Sequence, residues 1–165
     1  MNFNYRIEEE VIFFEGDLNE HVSKGELAKC LDDLGDTPEI IEVKIDMFGL
    51  KSGNSMGLRS LYQFLATVEK VIEFRRVPSW LMEQFGMIRS FVDSSWKISS
   101  VVLPYYCAEL NKDILEIFKV GTDIPILKSY EDYEPEPIHF EGHCYDADYD
   151  AESVFFVLTY LEFSS

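Results

Sequence analysis

Between residues 8 and 98 the hydrophobic period of the chain switches back and forth, and this alternation limits its fold more than any other feature. Val11-Ile12-Phe13-Phe14 is a short apolar run closed by Gly16-Asp17, which reads as a buried strand. Ser23-Lys24-Gly25-Glu26 has the spacing of a capping box; Leu27, Cys30, Leu31 and Leu34 then recur at helical intervals until Gly35. Thr37-Pro38 restarts the chain, and the β-branched stretch Ile40 to Met47, with Asp46 near its end, predicts a central strand. A Gly/Ser/Asn loop is expected over Gly49–Asn54, then a helix from Ser55 to about Glu69 with Leu58, Leu61, Tyr62, Leu65 and Val68 inward. Val71–Arg75 reads as a strand, and Pro78-Ser79 opens a short helix, with Leu81, Met82 and Phe85 inward, that Gly86 ends. Phe3–Glu9 alternates as an edge strand would. Strands separated by helices in this way predict an α/β fold: a mixed sheet with parallel neighbours and helices packed on it.

From Lys97 the texture changes. Ile98–Leu110 and Ile114–Val120 read as two strands of a β-hairpin joined at Asn111-Lys112-Asp113. Burial of Val101, Leu103, Tyr105, Ile117 and the C-terminal aromatics is expected to hold it. Gly121–Pro137 is loop-like, Glu141–Tyr149 a turn, and Ala151–Leu161 suits a helix, although its aromatics also allow a strand. The division expected is residues 1–96 as the α/β domain and 97–165 as a hairpin extension packed on it.

Composition narrows the partners. Of 165 residues, 31 are acidic and 14 basic, a formal net charge of −17. Such a polyanion is repelled by phosphate backbones and anionic leaflets, and its densest basic spot is only Arg75-Arg76. Neither nucleic acid nor a membrane surface is an expected partner. No stretch approaches the roughly 20 apolar residues of a membrane span. Residues Met1–Glu10 lack the basic start of a signal peptide. Three cysteines, Cys30, Cys107 and Cys144, are too few and odd for a disulfide framework. The expected setting is the cytoplasm.

The chemistry-bearing stretch is Ile41–Leu65. A strand ends near Asp46, a loop follows, and Ser55 stands where a helix begins. Its hydroxyl can cap free backbone N–H groups, worth about 1 kcal/mol. Asn54 can hold the cap equally well, with Ser55 already in the first turn. Phosphorylated, Ser55 would place a dianion at the positive end of the helix dipole. Gly57 is expected to leave room for a partner's backbone.

This stretch resembles the signature loop of the STAS domain, shared by anti-sigma factor antagonists and the tails of sulphate transporters. The family pattern is a strand ending in Asp, a loop, and Asp-Ser-x-Gly-Leu opening the second helix; here stand Asp46 and Asn54-Ser55-Met56-Gly57-Leu58. Phe14-Glu15-Gly16-Asp17-Leu18, Val71–Val77 and Pro78–Phe85 resemble further family segments in the same order, so the resemblance covers about residues 8–95. It implies a non-catalytic regulatory module whose serine, matching Ser55, is phosphorylated by a partner kinase that doubles as an anti-sigma factor. The implied binding surface is Asp46, Asn54, Ser55, Met56, Gly57 and Leu58. The chain departs from the pattern at Asn54, which removes a negative charge beside the hydroxyl.

Relatives that also carry Asn-Ser-x-Gly resemble the chain more closely, and in them two Cys-x-x-Cys pairs follow. Leu103-Pro104-Tyr105-Tyr106-Cys107 looks like the entry to the first pair, whose second cysteine would fall at Leu110; the second pair would map to Glu141 and Cys144. Only Cys107 and Cys144 remain of four thiolates. Structural zinc takes four ligands, so no metal is expected; Cys107, Glu109, His143 and Cys144 form the conceivable substitute set.

An enzyme needs a positioned nucleophile, base or metal, and no phosphate loop, nucleophile elbow or His-Glu-x-x-His pattern occurs. His21 has no partner motif. Asp146, Asp148 and Asp150 begin like a calcium loop, but Ala151 and Val157 stand where its glycine and bidentate glutamate belong. No cofactor is expected. The alternative to a switchable module is a scaffolding subunit, such as a homodimer, that assembles through its C-terminal extension.

Overall fold

The computed structural model describes residues 1–35 and 38–163; Thr37, where the chain was expected to restart, lies outside them. In chain order the elements begin with β1 (Asn4–Glu8), β2 (Val11–Leu18), α1 (Lys24–Leu34), β3 (Glu42–Gly53), α2 (Ser55–Leu65) and β4 (Val71–Arg75). They continue with β5 (Val77–Pro78), α3 (Ser79–Met87), β6 (Trp96–Ile98), β7 (Ser100–Cys107), β8 (Lys112–Lys119), β9 (Ile138–Phe140), β10 (His143–Ala147) and α4 (Ala151–Phe163). A single 3₁₀ turn, Arg89–Phe91, follows α3. The fold is α/β, with mixed sheets and helices packed on them.

Two units divide the chain. One comprises Met1–Arg75 with Asp93–Ile98, the other Arg76–Val92 with the residues from Ser99 onward. This differs from a single cut after residue 96, because α3 groups with the C-terminal segment. Its own strand β5 pairs in parallel with β7 (Val77↔Val101), and α3 packs on α4.

In the first unit a sheet of five strands runs in the order β1-β2-β3-β4-β6. β1 and β2 are antiparallel across Glu9-Glu10, both at positive φ (49° and 63°), as a two-residue hairpin turn requires. The remaining neighbours are parallel. Ile12 and Phe14 of β2, Ile45 and Met47 of β3, and Ile72 and Phe74 of β4 are fully buried. Each such side chain contributes roughly 1.5–3 kcal/mol. The capping box of α1 forms: Ser23 Oγ accepts from Glu26 N at 3.2 Å, and Glu26 Oε2 accepts from Ser23 N at 2.9 Å. Gly35 ends the helix in the left-handed region at φ 75°. Leu27 and Cys30 are the buried stripe of α1; Leu58, Leu61, Tyr62 and Leu65 are that of α2, which stops at Leu65 short of the expected Glu69.

Gly49–Asn54 is not a loop. β3 continues to Gly53, because β2 also runs on past Gly16 and pairs with it through Asp17↔Ser52 and Leu18↔Gly53. Two register shifts absorb the irregular sequence, and Gly49 makes them possible: a Cβ there would stand 2.7 Å from the Phe14 carbonyl oxygen.

In the second unit β7 is central. It pairs with β8 over its whole length, and with β10, which pairs with β9. The β7–β8 turn occupies residues 108–111, with Asn111 at φ 48°, so Lys112 and Asp113 lie in β8 rather than in the turn. Val101, Leu103 and Tyr105 are buried as expected, whereas Ile117 is 48% exposed. Among the described residues β8 pairs with β7 alone, and most of its residues face solvent. The stretch expected as a turn at Glu141–Tyr149 holds the β9–β10 turn, Glu141-Gly142 at φ 49° and 80°, and the whole of strand β10. Ala151–Phe163 is helical, burying Val154, Phe155, Val157 and Leu158.

The acidic, proline-bearing segment 121–137 is tied down by Tyr130. Its hydroxyl donates to the Pro125 carbonyl at 2.7 Å and accepts from Leu127 N at 3.3 Å, and its ring packs on Tyr133 and Phe155. Among the described residues no helix is long and apolar enough to cross a membrane.

Candidate functional site

The junction between β3 and α2 is a single residue. Asn54 is the N-cap, in extended conformation (φ −108°, ψ 173°), and its Oδ1 accepts from Met56 N at 3.1 Å and Gly57 N at 3.0 Å. Ser55 is therefore the first helical residue, not the cap. Its side chain is exposed, and Met56 beside it is 54% exposed. A hydroxyl at this position is released from capping while remaining within the positive end of the helix dipole.

Asn54 has a second partner. Its Nδ2 donates to Glu20 Oε2 at 2.7 Å, which an aspartate could not do. The Glu20 carboxyl is held below its ordinary range, first by a backbone N–H and then by the Asn54 amide. His21 is exposed beside it, with Nε2 3.8 Å from Glu20 Oε1. Two residues before Asn54, Ser52 Oγ donates to Asp17 Oδ1 at 2.8 Å. The Asp17 carboxyl is held low first by the Met1 amino group and then by Ser52. Carboxylates from the end of β2 and the turn after it thus meet β3 and α2 at this corner.

Three residues of the expected binding surface lie elsewhere. Gly57 is buried, and the backbone that uses its missing side chain is the chain's own. A Cβ at Gly57 would stand 2.1 Å from the Leu18 carbonyl carbon and 2.4 Å from Asn19 N. Leu58 is buried in the helix–sheet core. Asp46 is buried in the middle of β3, where its Oδ1 accepts from Phe48 N at 3.1 Å. Arg75, its register partner on β4, is held above its usual pKa first by Glu73, with Asp46 and Glu42 adding to it. Asp46 is thus part of the sheet's charge balance. The exposed surface reduces to Asn54, Ser55 and Met56, joined by Glu20 and His21, a pair that spacing within one helix could not reveal.

The expected metal remnant is dispersed. Cys107 is buried in β7 and Cys144 exposed in β10, where it pairs across the strand with His139. Glu109 and His143 do meet, with Oε2 2.9 Å from Nδ1. Among the described residues, no group of three or more His, Cys, Asp or Glu gathers in a way that could hold a metal ion. Asp150 instead serves α4: Ser153 Oγ donates to its carboxylate, and its carbonyl accepts from Val154 N at 3.0 Å.

Comparison with known proteins finds no family model and no curated protein that matches this chain.

Proposed function

We propose that the chain is a non-catalytic protein-interaction module of the anti-sigma factor antagonist kind, and that its contact surface is the exposed start of α2. The observation that carries this reading is the position of Ser55. Because Asn54 supplies the cap, the serine hydroxyl is surplus to the helix and faces solvent beside an exposed methionine. A small hydroxyl and a flexible apolar side chain suit a protein contact. Phosphate on Ser55 would add close to two negative charges at a junction that already carries Glu20 on Asn54, and a partner seated there would lose the contact through repulsion and desolvation. The partner class implied is a regulatory protein, such as a serine kinase acting as an anti-sigma factor. The mixed sheet with helices packed on it is consistent with that family resemblance.

The test is a quantitative pull-down with wild type, Ser55→Ala and Ser55→Asp, read by mass spectrometry. The reading requires partners retained by wild type and Ser55→Ala and lost by Ser55→Asp. Equal recovery by all three removes the switch.

A second reading, a scaffolding subunit, draws on β8. Leu115 and Ile117 are 61% and 48% exposed on a strand with one free edge among the described residues. Light scattering would favour it if a dimer forms that Leu115→Lys abolishes and Ser55→Asp leaves intact.

A further inference from the structure

The second unit contains a cavity of about 430 Å³ whose lining combines aromatic rings with carboxylates. Tyr105, Phe118, Tyr133 and Tyr149 supply the rings. Tyr105 stacks on Phe118 with centroids 5.8 Å apart, and Tyr149 stands at 70° to Tyr105 with centroids 5.9 Å apart. The rings are thus inclined to one another rather than stacked in one direction. Asp123, Glu134 and Glu136 lie among the other lining residues, and no lysine or arginine does.

Asp123, Tyr133 and Tyr149 are held by contacts outside the cavity. Asp123 is held by Lys119 N, which donates to its Oδ2 at 2.7 Å. Tyr133 and Tyr149 both pack edge-on against Phe155, which is fully buried in α4. The hydroxyls of Tyr105 and Tyr149 are 3.4 Å apart. Burial keeps the Tyr133 hydroxyl protonated to higher pH, with Tyr105 and then Glu136 adding to the effect.

The charged side chains of this lining are all carboxylates, and aromatic ring faces add partial negative charge, so the lining favours a cation over an anion. A small metal ion is poorly served, since no three metal-binding side chains converge among the described residues. What fits is a cation with little hydration to lose and an apolar surface to lay against rings. We propose that this cavity binds an alkylated ammonium group, with Phe118, Tyr133 and Tyr149 as its aromatic walls, the buried Tyr105 backing Phe118 and Tyr149, and Glu134 and Glu136 supplying the attraction. The inference is independent of the reading of α2.

The test is an NMR titration of the full chain, following the ring resonances of Phe118, Tyr133 and Tyr149. Choline chloride is compared with dimethylbutanol, its neutral carbon isostere. Choline is expected to give saturable shifts at these rings and the alcohol none. Glu136→Gln, a change at an exposed residue that leaves the packing alone, should weaken choline binding about fivefold, and added salt should weaken it further. Tyr133→Leu should weaken it more, but it also loosens Phe155, so the glutamine variant decides. A parallel arm uses blocked trimethyllysine: tighter binding of either cation supports the site and assigns its source as a free metabolite or a protein side chain. Equal shifts with choline and the alcohol, no saturation by about 50 mM, or unchanged affinity in Glu136→Gln overturns the proposal.

Discussion

Asn54 and Glu20 are joined by a hydrogen bond of 2.7 Å, amide to carboxylate, across the junction where β3 becomes α2. One side chain thus does two things: its oxygen caps the helix and its nitrogen holds the turn that follows β2. The negative charge at this junction is on Glu20, not on the capping residue.

Removing that side chain should cost both functions. Asn54→Ala is expected to destabilise the fold by about 1 kcal/mol from the lost cap alone. The second function is linked to pH. The folded state holds the Glu20 carboxyl below its ordinary value, first through a backbone N–H and then through Asn54. The Asn54–Glu20 contribution is therefore present above about pH 4.3 and disappears as pH falls through the lower folded value. Urea unfolding of both proteins at neutral and acid pH should show the gap narrowing on acidification.

Two glycines should respond oppositely to alanine. At Gly57 the new Cβ meets Leu18 and Asn19 backbone at 2.1–2.4 Å, so α2 must move, at a cost of about 3 kcal/mol or more. At Gly25, inside α1, the nearest atom is Ser23 Oγ at 3.9 Å, and alanine should stabilise by roughly 0.5 kcal/mol. Thermal melts of the two variants check the sign.

Ser55→Asp should leave stability unchanged or raise it by about 0.3–1 kcal/mol, because a carboxylate joins the positive end of α2. Loss of partner binding in a variant that melts no earlier than wild type would then be a surface effect rather than unfolding.

Tyr130→Phe removes the hydroxyl that bonds Pro125 and Leu127, at a cost of about 1 kcal/mol. The effect should be local. Hydrogen exchange of the Leu127 amide should quicken and proteolysis within 121–137 increase, while β7 amides stay protected.

The thiols should separate by accessibility. Burial pushes Cys30 up to about 12, its thiol donating to the Leu27 carbonyl, and Cys107 is buried as well. Iodoacetamide on the native protein at neutral pH should modify Cys144 alone; the other two should react only after denaturation, as counted by intact mass.

Periodicity and caps made most elements legible. The capping box at Ser23 and Glu26, the left-handed Gly35 and the stripe Leu58, Leu61, Tyr62 and Leu65 all arise from interactions between residues close in sequence. The misread elements depend on distant partners. Gly49–Gly53 looks like a loop by composition and becomes strand only because β2 supplies its backbone partners. Glu141-Gly142 turns a hairpin without the usual Asn-Gly signal. The placement of α3 with the C-terminal unit follows from β5 pairing with β7, which a linear cut cannot express. At the candidate site, the helix start at Ser55 is legible from local sequence. The crowding at Gly57 and the Asn54–Glu20 contact come from residues more than thirty positions earlier, which spacing within one helix does not encode.

The close seating of Gly57 on Leu18 and Asn19, with Asn54 N donating to the Leu18 carbonyl at 2.9 Å, makes the corner around Ser55 a composite of two distant stretches. A synthetic peptide spanning only the helix start would present its serine without the acidic turn beside it. Any molecule that reads this corner reads the folded chain, and denaturation erases the epitope even though every side chain in it survives.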